Sequence, residues 1–466
     1  MKKPNILYIH TDQQRWNTIS ANGNSVIHTP NLDRLAAVGV NFDHCFAQSP
    51  VCMPSRISSM TGQYCSSLKI SQMAITVPPE TTTIQKILKR NGYHTALIGK
   101  LHYLPHSNRD HRELHPDYYF DHMELSDEPG CYEDAYRAWV KSKDPDELPF
   151  ISPGLPPAAK NWRDAIGFSD NILHPERTTF EVSGAKCKSS LTHTAFVGEQ
   201  TIEFLKTNTS KPFFCFSSFY SPHEPWIVPE EYLSLYDDAT FEVPYFPESL
   251  NRNGSSGPFS NSSIKTAMKG YYAAISEVDE WIGRILDCLD ESGMTDNTII
   301  VFTSDHGEFL GEHLKYGKGY FAPDVVSRVP LIISAPSGLN CLSGMTYSGI
   351  VECVDILPTL LELCGIQSPP QARGNVLPVR KSSSEYRGDG TGLTEYLGWK
   401  SLRTDRFRYV SDKDGNELLF DLEKDPGEYF DVSDNPEYIN HLNYCRKRLL
   451  VKMISIETTL DHEWAY

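Results

Sequence analysis

Short apolar runs that stop abruptly at polar residues recur along this chain, with helical patterns between them. Residues 5–10 lead into Thr11-Asp12-Gln13-Gln14, and residues 94–98 into Gly99-Lys100-Leu101-His102. Residues 212–220 lead into Ser221-Pro222-His223-Glu224-Pro225-Trp226, and residues 298–303 into Ser304-Asp305-His306-Gly307-Glu308. Continuous rather than alternating apolar character is expected of strands buried on both faces, as in parallel sheets. Residues 40–46 and 329–334 read as further strands. The intervening segments carry apolar residues at helical spacing. Thr29 caps and Pro30 opens a helix that Gly39 ends, residues 83–91 form one that Gly92 stops, and residues 354–364 form one closed by Gly365. Residues 194–205 form an amphipathic helix, and 264–289 the longest one. Strands alternating with helices predict an α/β fold on a large, mostly parallel sheet flanked by helices.

In an open α/β sheet, chemistry sits beyond the carboxyl ends of the strands. Asp12, Lys100, His102, His223, Asp305 and His306 all follow predicted strands, so the alternation brings them to one edge. Cys52-Met53-Pro54-Ser55-Arg56 falls in a strand-to-helix connection. Pro54 suits the first turn of a helix, because its missing N–H would be unpaired there anyway. Cys52 then lies at a helix N-terminus, where backbone N–H groups and the dipole favour an anion. Arg56 lies one turn along. A buried structural cysteine beside a helix-starting proline would give the same five residues. Taken singly, Asp12 could begin a turn, and His223 between prolines could be a turn residue.

The 466 residues carry 60 acids against 43 bases, a net charge of −17. Such a surface repels nucleic acid and anionic membrane, so neither is an expected partner. An anionic substrate would demand a local cluster of bases. The 11 cysteines are odd in number and contain no C-x-x-C pair, which fits a reducing compartment better than a disulfide framework. No signal-peptide apolar stretch or spanning run is visible, so the chain as given is expected to be cytoplasmic, or periplasmic or secreted if it has been trimmed. Residues 103–190 lose periodicity and read as a loop-rich wall around a substrate; His106, His111, His115 and His122 there match no zinc spacing. Residues 250–263 read as a mobile loop. From about 370 the texture changes, with a Ser-rich run at 382–384, strands at 402–410 and 417–422 around an Asp414-Gly415 turn, and a terminal helix at 436–454. The expected division is a catalytic α/β domain at 1–370 and a small antiparallel α+β subdomain at 371–466.

Thr29-Pro30-Asn31-Leu32-Asp33-Arg34-Leu35-Ala36, Cys52-Met53-Pro54-Ser55-Arg56, Gly99-Lys100-Leu101-His102, Ser221-Pro222-His223-Glu224-Pro225, Ser304-Asp305-His306-Gly307 and Lys318 stand in an order that resembles the sulfatases of the alkaline-phosphatase-like superfamily. The resemblance runs from Asn5 to Pro330 and resumes at Arg403-Thr404-Asp405-Arg406 and in residues 420–428, which match the family's C-terminal hairpin. It implies that Cys52 is oxidised to formylglycine by a maturation enzyme, and that the aldehyde hydrate attacks sulfur. It implies that Asp12, Gln13, Cys52, Asp305 and His306 hold a divalent cation, Ca²⁺ or alternatively Mn²⁺. Arg56 would hold the hydrate, and Lys100 and Lys318 would bind sulfate oxygens. His223 would protonate the leaving alcohol, and His102 would take the proton that expels sulfate. Many sulfatases place two aspartates after the first strand, whereas this chain has Asp12-Gln13, as do relatives resembling choline sulfatases and phosphonate monoester hydrolases. The expected substrate is a sulfated carbohydrate. The rival readings are a phosphonate monoester or phosphodiester hydrolase, and a sulfoglycan-binding protein whose Cys52 is never converted.

Overall fold

The computed structural model describes residues 3–106, 111–208, 211–250, 257–381 and 386–457. Among these, nine strands form the central sheet: β1 (Asn5–Thr11), β2 (Val40–Phe46), β3 (His94–Gly99), β4 (His122–Leu125), β5 (Phe213–Ser218), β6 (Thr298–Ser304), β7 (Arg328–Ser334), β8 (Met345–Tyr347) and β9 (Val351–Glu352). Their order is β8–β2–β7–β6–β1–β5–β3–β4, with β9 also paired to β2. β1 is parallel to both β5 and β6, and β3 is parallel to β5 and β4. The carboxyl ends of β1, β3, β5 and β6 therefore share one edge. β7 alone runs antiparallel to both its neighbours, β2 and β6.

Period-two alternation sends neighbouring residues to opposite faces. Ile6, Tyr8, Phe214, Phe216 and Val301 face a core shared with Ile57, Met60, Leu357 and Leu360. Leu7, Ile9, Ile300 and Phe302 face one shared with Phe196, Val278, Ile282 and Ile285. The covering helices include α1 (Pro30–Val38), α2 (Cys52–Thr61), α3 (Ile84–Arg90), α4 (Ala135–Lys143), α6 (His193–Thr207), α7 (Asn261–Glu291) and α8 (Ile356–Leu363), while α5 (Pro157–Ile166) packs in a cluster of its own with Cys131 and Tyr132. The expected longest helix is α7, with 31 residues. Thr29 does not cap α1 through its side chain. Asp279 of α7 does so instead, accepting from the N–H groups of Asn31 and Leu32 at 3.0 and 2.7 Å.

The region 103–190, expected to be loop-rich, contains β4, α4 and α5. These two helices are short, and aromatic packing of Tyr136 on Trp139 and of Trp162 on Tyr132 and Phe168 marks them better than any long periodicity. Residues 251–256 of the expected mobile loop and the Ser-rich run at 382–384 lie outside the described residues; from Asn261 the former is the first turn of α7.

Four C-terminal strands, β10 (Gly392–Tyr396), β11 (Trp399–Arg403), β12 (Phe407–Asp412) and β13 (Glu417–Asp421), form a separate antiparallel sheet in that order, followed by α9 (Ile439–Ser455). The strand expected at 402–410 is two strands, turned where the Thr404 N–H donates to Phe407 O at 2.8 Å. The Asp414-Gly415 turn joins β12 to β13, with Gly415 at φ 84. Fully buried Arg408 ties this sheet to the main one, pairing with Asp324 at 2.5 Å and with Glu428. Arg403 adds a second bond to Asp324 at 3.0 Å. The small sheet thus braces the segment that follows Lys318. Among the described residues, no helix is long and apolar enough to cross a membrane.

Candidate active site and metal centre

Each strand end delivers its residue to one place. Asp12 and Gln13 follow β1, Lys100 and His102 follow β3, His223 follows β5, and Asp305 and His306 follow β6. Cys52 is the first residue of α2, all ten residues of which are buried. No side chain caps α2. Arg56, one turn in, reaches across the carboxylates: its Nη2 donates to Asp12 Oδ2 at 3.0 Å and its Nε to Asp305 Oδ2 at 2.9 Å. Its Nη1 donates to Lys100 O at 3.1 Å and Ser218 Oγ at 2.9 Å. Lys100 Nζ lies 2.9 Å from Asp12 Oδ2. The local cluster of bases demanded by the acidic surface is therefore built from Arg56, Lys100 and Lys318.

Cys52 Sγ is the meeting point. Lys318 Nζ lies 2.9 Å from it, His306 Nε2 3.3 Å and Asp12 Oδ1 3.7 Å. Asp12, Cys52, Asp305 and His306, all buried, each offer one ligating atom within 4.8 Å of the others. His306 Nδ1 donates to Gly307 O at 2.9 Å, which leaves the Nε2 lone pair for the site. Two carboxylates and an imidazole of fixed tautomer fit a divalent cation with a preference for oxygen. Among the described residues this is the single such group. Of the histidines in the 103–125 stretch, His111 stacks on Tyr132 with ring centroids 3.7 Å apart and His122 lies 3.7 Å from Glu124, whereas His106 lies beside His102, ring centroids 4.5 Å apart, at the cleft over the site.

Gln13, expected to add an amide oxygen to the ligands, gives that oxygen to Lys318 Nζ at 2.9 Å. Its Nε2 donates to Glu224 and to Glu308. Charged partners of both signs surround the amide, and each of its ends meets the matching one. The Gln13 backbone is held at φ 68, an uncommon value for a residue other than glycine, by Tyr271 Oη donating to its O at 2.6 Å and by its own N–H donating to Asp305 Oδ1 at 2.9 Å.

Burial would raise the Asp12 carboxyl, but Lys100, His223, Arg56 and Lys318 outweigh it and hold it well below its ordinary value. Burial and Asp12 would raise Asp305; His306 and Arg56 outweigh them and lower it. The Cys52 thiol, in contrast, is pushed up to about 12 by burial and the Asp12 carboxylate.

The site opens into a cleft of about 730 Å³ whose lining includes Cys52, Lys100, His102, His223 and Lys318. Its outer wall, with Leu155, Lys160, His174 and Arg177, comes from the 103–190 region. His102 is buried, and neither ring nitrogen has a hydrogen-bond partner among the described residues. Burial, His106 and Lys100 hold it well below the usual histidine range. Asp127 Oδ1 fixes its backbone by accepting from the Leu101 and His102 N–H groups at 2.9 and 2.8 Å. His223 Nδ1 donates to Glu224 O at 2.7 Å, and Lys318 Nζ donates to its Nε2 at 3.0 Å. Glu308, Glu224 and Arg177 also join the site, although sequence reasoning assigned them no part. Glu224 stands directly beside His223 and Glu308 two residues past His306, but nothing in the local pattern marks their partners.

A family profile described as Sulfatase matches residues 4–366, and one described as N-sulphoglucosamine sulphohydrolase, C-terminal, matches residues 311–454. An arylsulfatase of Clostridium perfringens is 31% identical over 477 residues, covering 97% of this chain and 94% of that protein. An N-acetylglucosamine-6-O-sulfatase of Bacteroides thetaiotaomicron is 28% identical over 486 residues, covering 94% of this chain and 84% of that protein. The crystal structure of a phosphonate monoester hydrolase of Agrobacterium radiobacter superposes with a TM-score of 0.81 at 25% identity, covering 98% of this chain and 97% of that one. The chain therefore belongs to the sulfatase family, hydrolases of the alkaline-phosphatase-like superfamily.

Proposed function

We propose that this sulfatase acts on a sulfated carbohydrate, through a formylglycine made from Cys52. The observation that carries the reading is the convergence of Lys318, His306 and Asp12 on Cys52 Sγ, at 2.9, 3.3 and 3.7 Å, beneath a cleft lined by Lys100, His102 and His223. Sγ marks the position that the hydrate oxygens would take. A divalent cation held by Asp12, Asp305, His306 and the residue at 52 would supply positive charge to the nucleophile and the sulfate oxygens. The remaining work falls to the chain's own groups. Lys100 and Lys318 neutralise charge on the transferring group. One hydrate hydroxyl, ionised by loss of its proton to solvent, attacks sulfur, and the bond from sulfur to the alcohol oxygen breaks as His223 Nε2 gives that oxygen a proton. His102 then takes the proton of the remaining hydroxyl; the carbon–oxygen bond to sulfate breaks, sulfate leaves, and the aldehyde is restored for rehydration.

In the free site His223 Nε2 accepts from Lys318, and burial and Lys318 hold its pKa well below the usual value. An anionic substrate that draws Lys318 onto its own oxygens frees Nε2 and favours the imidazolium. His223→Ala should therefore lower turnover of sugar sulfates by about 10²–10⁴-fold and that of nitrophenyl sulfate far less, because nitrophenolate leaves without a proton. Equal losses on both substrates exclude His223 as the acid.

A second reading, a phosphonate monoester or phosphodiester hydrolase, is favoured by Gln13 in place of a second carboxylate and by the likeness to the Agrobacterium enzyme. Sulfate monoesters and phosphodiesters each carry one negative charge, so charge does not separate them. The test is kcat/KM on matched aryl sulfate, phosphodiester and phosphonate substrates together with sulfated sugars. Sulfate turnover is expected to be highest, with diesterase activity weaker. Diester or phosphonate turnover well above all sulfates reverses the order of the two readings.

A further inference from the structure

Glu308 is fully buried beside the site, and its bonds go to the loop before Lys318 and to Gln13 rather than to the Cys52 sulfur. Its backbone is anchored, with its N–H donating to Val325 O at 3.0 Å. Its two carboxylate oxygens do different things. Oε1 accepts from the N–H of Leu310 at 2.9 Å and from that of Gly317 at 2.6 Å. One oxygen thereby gathers both ends of the 310–317 loop, and Lys318 is the next residue. Oε2 accepts from Gln13 Nε2. The other end of that same amide, Oε1, accepts from Lys318 Nζ at 2.9 Å. Glu308 thus reaches Lys318 twice, through its main chain and through its ammonium group.

The loop needs such a clasp. It turns through Gly311 at φ 92 and Gly317 at φ 79. Its own cross-links include Phe309 N–H to Gly317 O at 2.9 Å and Gly311 N–H to Lys315 O at 2.8 Å. Downstream, the ion pairs of Asp324 with Arg403 and Arg408 hold the segment from the far side. Lys318 Nζ meets Cys52 Sγ, His223 Nε2 and Gln13 Oε1 within 3.0 Å, and of its two acceptors, the His223 nitrogen and the Gln13 oxygen, the second is the one Glu308 orients.

We propose that Glu308 is a positioning residue for anion binding: it clasps the loop before Lys318 with one oxygen and orients the Gln13 amide with the other, so that the ammonium stands over the nucleophile. The inference rests on the reading of Lys318 as a sulfate-binding group. It gives Gln13 a role in holding Lys318 as well.

The test is calorimetric binding of inorganic sulfate to the full chain, as wild type, Glu308→Ala, Glu308→Gln, Lys318→Ala and the double variant Glu308→Ala/Lys318→Ala. Glu308→Ala should weaken sulfate binding about tenfold, the scale of one hydrogen bond to a charged group. Glu308→Gln should fall between, since its amide oxygen still accepts from the loop while the Gln13 arm is lost. In the Lys318→Ala background the Glu308→Ala loss should shrink to about twofold or less, because neighbours acting through one group are not additive. With an aryl sulfate, Glu308→Ala should raise KM more than it lowers kcat. A Glu308→Ala loss of the same size in both backgrounds, or no loss in either, overturns the proposal. Should Glu308→Ala fail to fold, the cycle built on Glu308→Gln gives the same reading. A wild type that binds sulfate but cleaves no sulfate ester removes the catalytic reading of the site, while the binding cycle still decides whether Glu308 acts through Lys318.

Discussion

Cys52→Ala should lower sulfate-ester turnover by about 10⁴-fold or more, while the chain folds as before. Loss of a nucleophile alone costs a covalent-catalysis enzyme about as much as loss of its whole catalytic set. Every group around Cys52 is aimed at that position: Lys318 at 2.9 Å, His306 at 3.3 Å, and the Arg56 helix behind it. The fold has little stake in the sulfur, since its neighbours are polar and it fills no apolar core cluster. Stability should therefore stay within about 1 kcal/mol. The measurement is turnover of an aryl sulfate and a sulfated sugar by protein co-expressed with a maturation enzyme, with the mass of the Cys52 peptide as the companion readout. An alanine variant within tenfold of the wild type removes Cys52 as the nucleophile. A wild type whose Cys52 peptide stays a plain thiol, yet which turns over fully, removes formylglycine.

The strand ends were legible because an apolar run that stops at Asp12, Lys100, His223 or Asp305 says both where a buried strand ends and what chemistry it carries. Strand direction was not legible at β7. Its residues Val329, Leu331, Ile332 and Ile333 are as buried as those of its neighbours, and burial on both faces looks the same whichever way a strand runs. Helices α4 and α5 were hidden for a different reason. They are nine and ten residues long and are flanked by proline and aspartate, so their apolar positions never repeat long enough to declare a period. The supports of the site escaped because their partners are remote in the chain. Glu308 sits two residues past His306, but its bond to Gln13 spans 295 residues. The Arg408–Asp324 bond spans 84. A charged residue in a motif announces that it is buried or reactive only when its counter-charge is known. The Gln13 amide illustrates the limit: its residue type suggested a ligand oxygen, and three charged side chains from other segments decide what it touches.

Arg56→Ala should be the most destabilising single change at the site, by about 3–5 kcal/mol, because it leaves buried charge without its partner. Arg56 is 1% exposed, and its fork bridges Asp12 and Asp305 at 3.0 and 2.9 Å. Lys100 still faces Asp12, but among the described residues no other lysine or arginine pairs with Asp305. Both carboxyls are held below their ordinary values with Arg56 among the causes. A carboxyl whose folded pKa is depressed adds stability above its unfolded pKa, and that stability is lost as pH falls through the folded pKa. Removing Arg56 raises both folded values, so acid unfolding should begin at higher pH in the variant. Arg56→Lys should recover little, since a single ammonium cannot reproduce a fork that meets two carboxylates, a carbonyl and a hydroxyl at once. A divalent cation bound by the same carboxylates would replace part of the missing charge. Added Ca²⁺ or Mn²⁺ should therefore raise the Tm of Arg56→Ala more than that of the wild type, and a chelator should widen the gap between them. The measurements are thermal melts across about pH 4–8, the range over which carboxylates lose their charge, with and without each cation. A variant that melts with the wild type at every pH would mean that Arg56 is not what keeps the paired carboxylates charged, and would shift that work to Lys100.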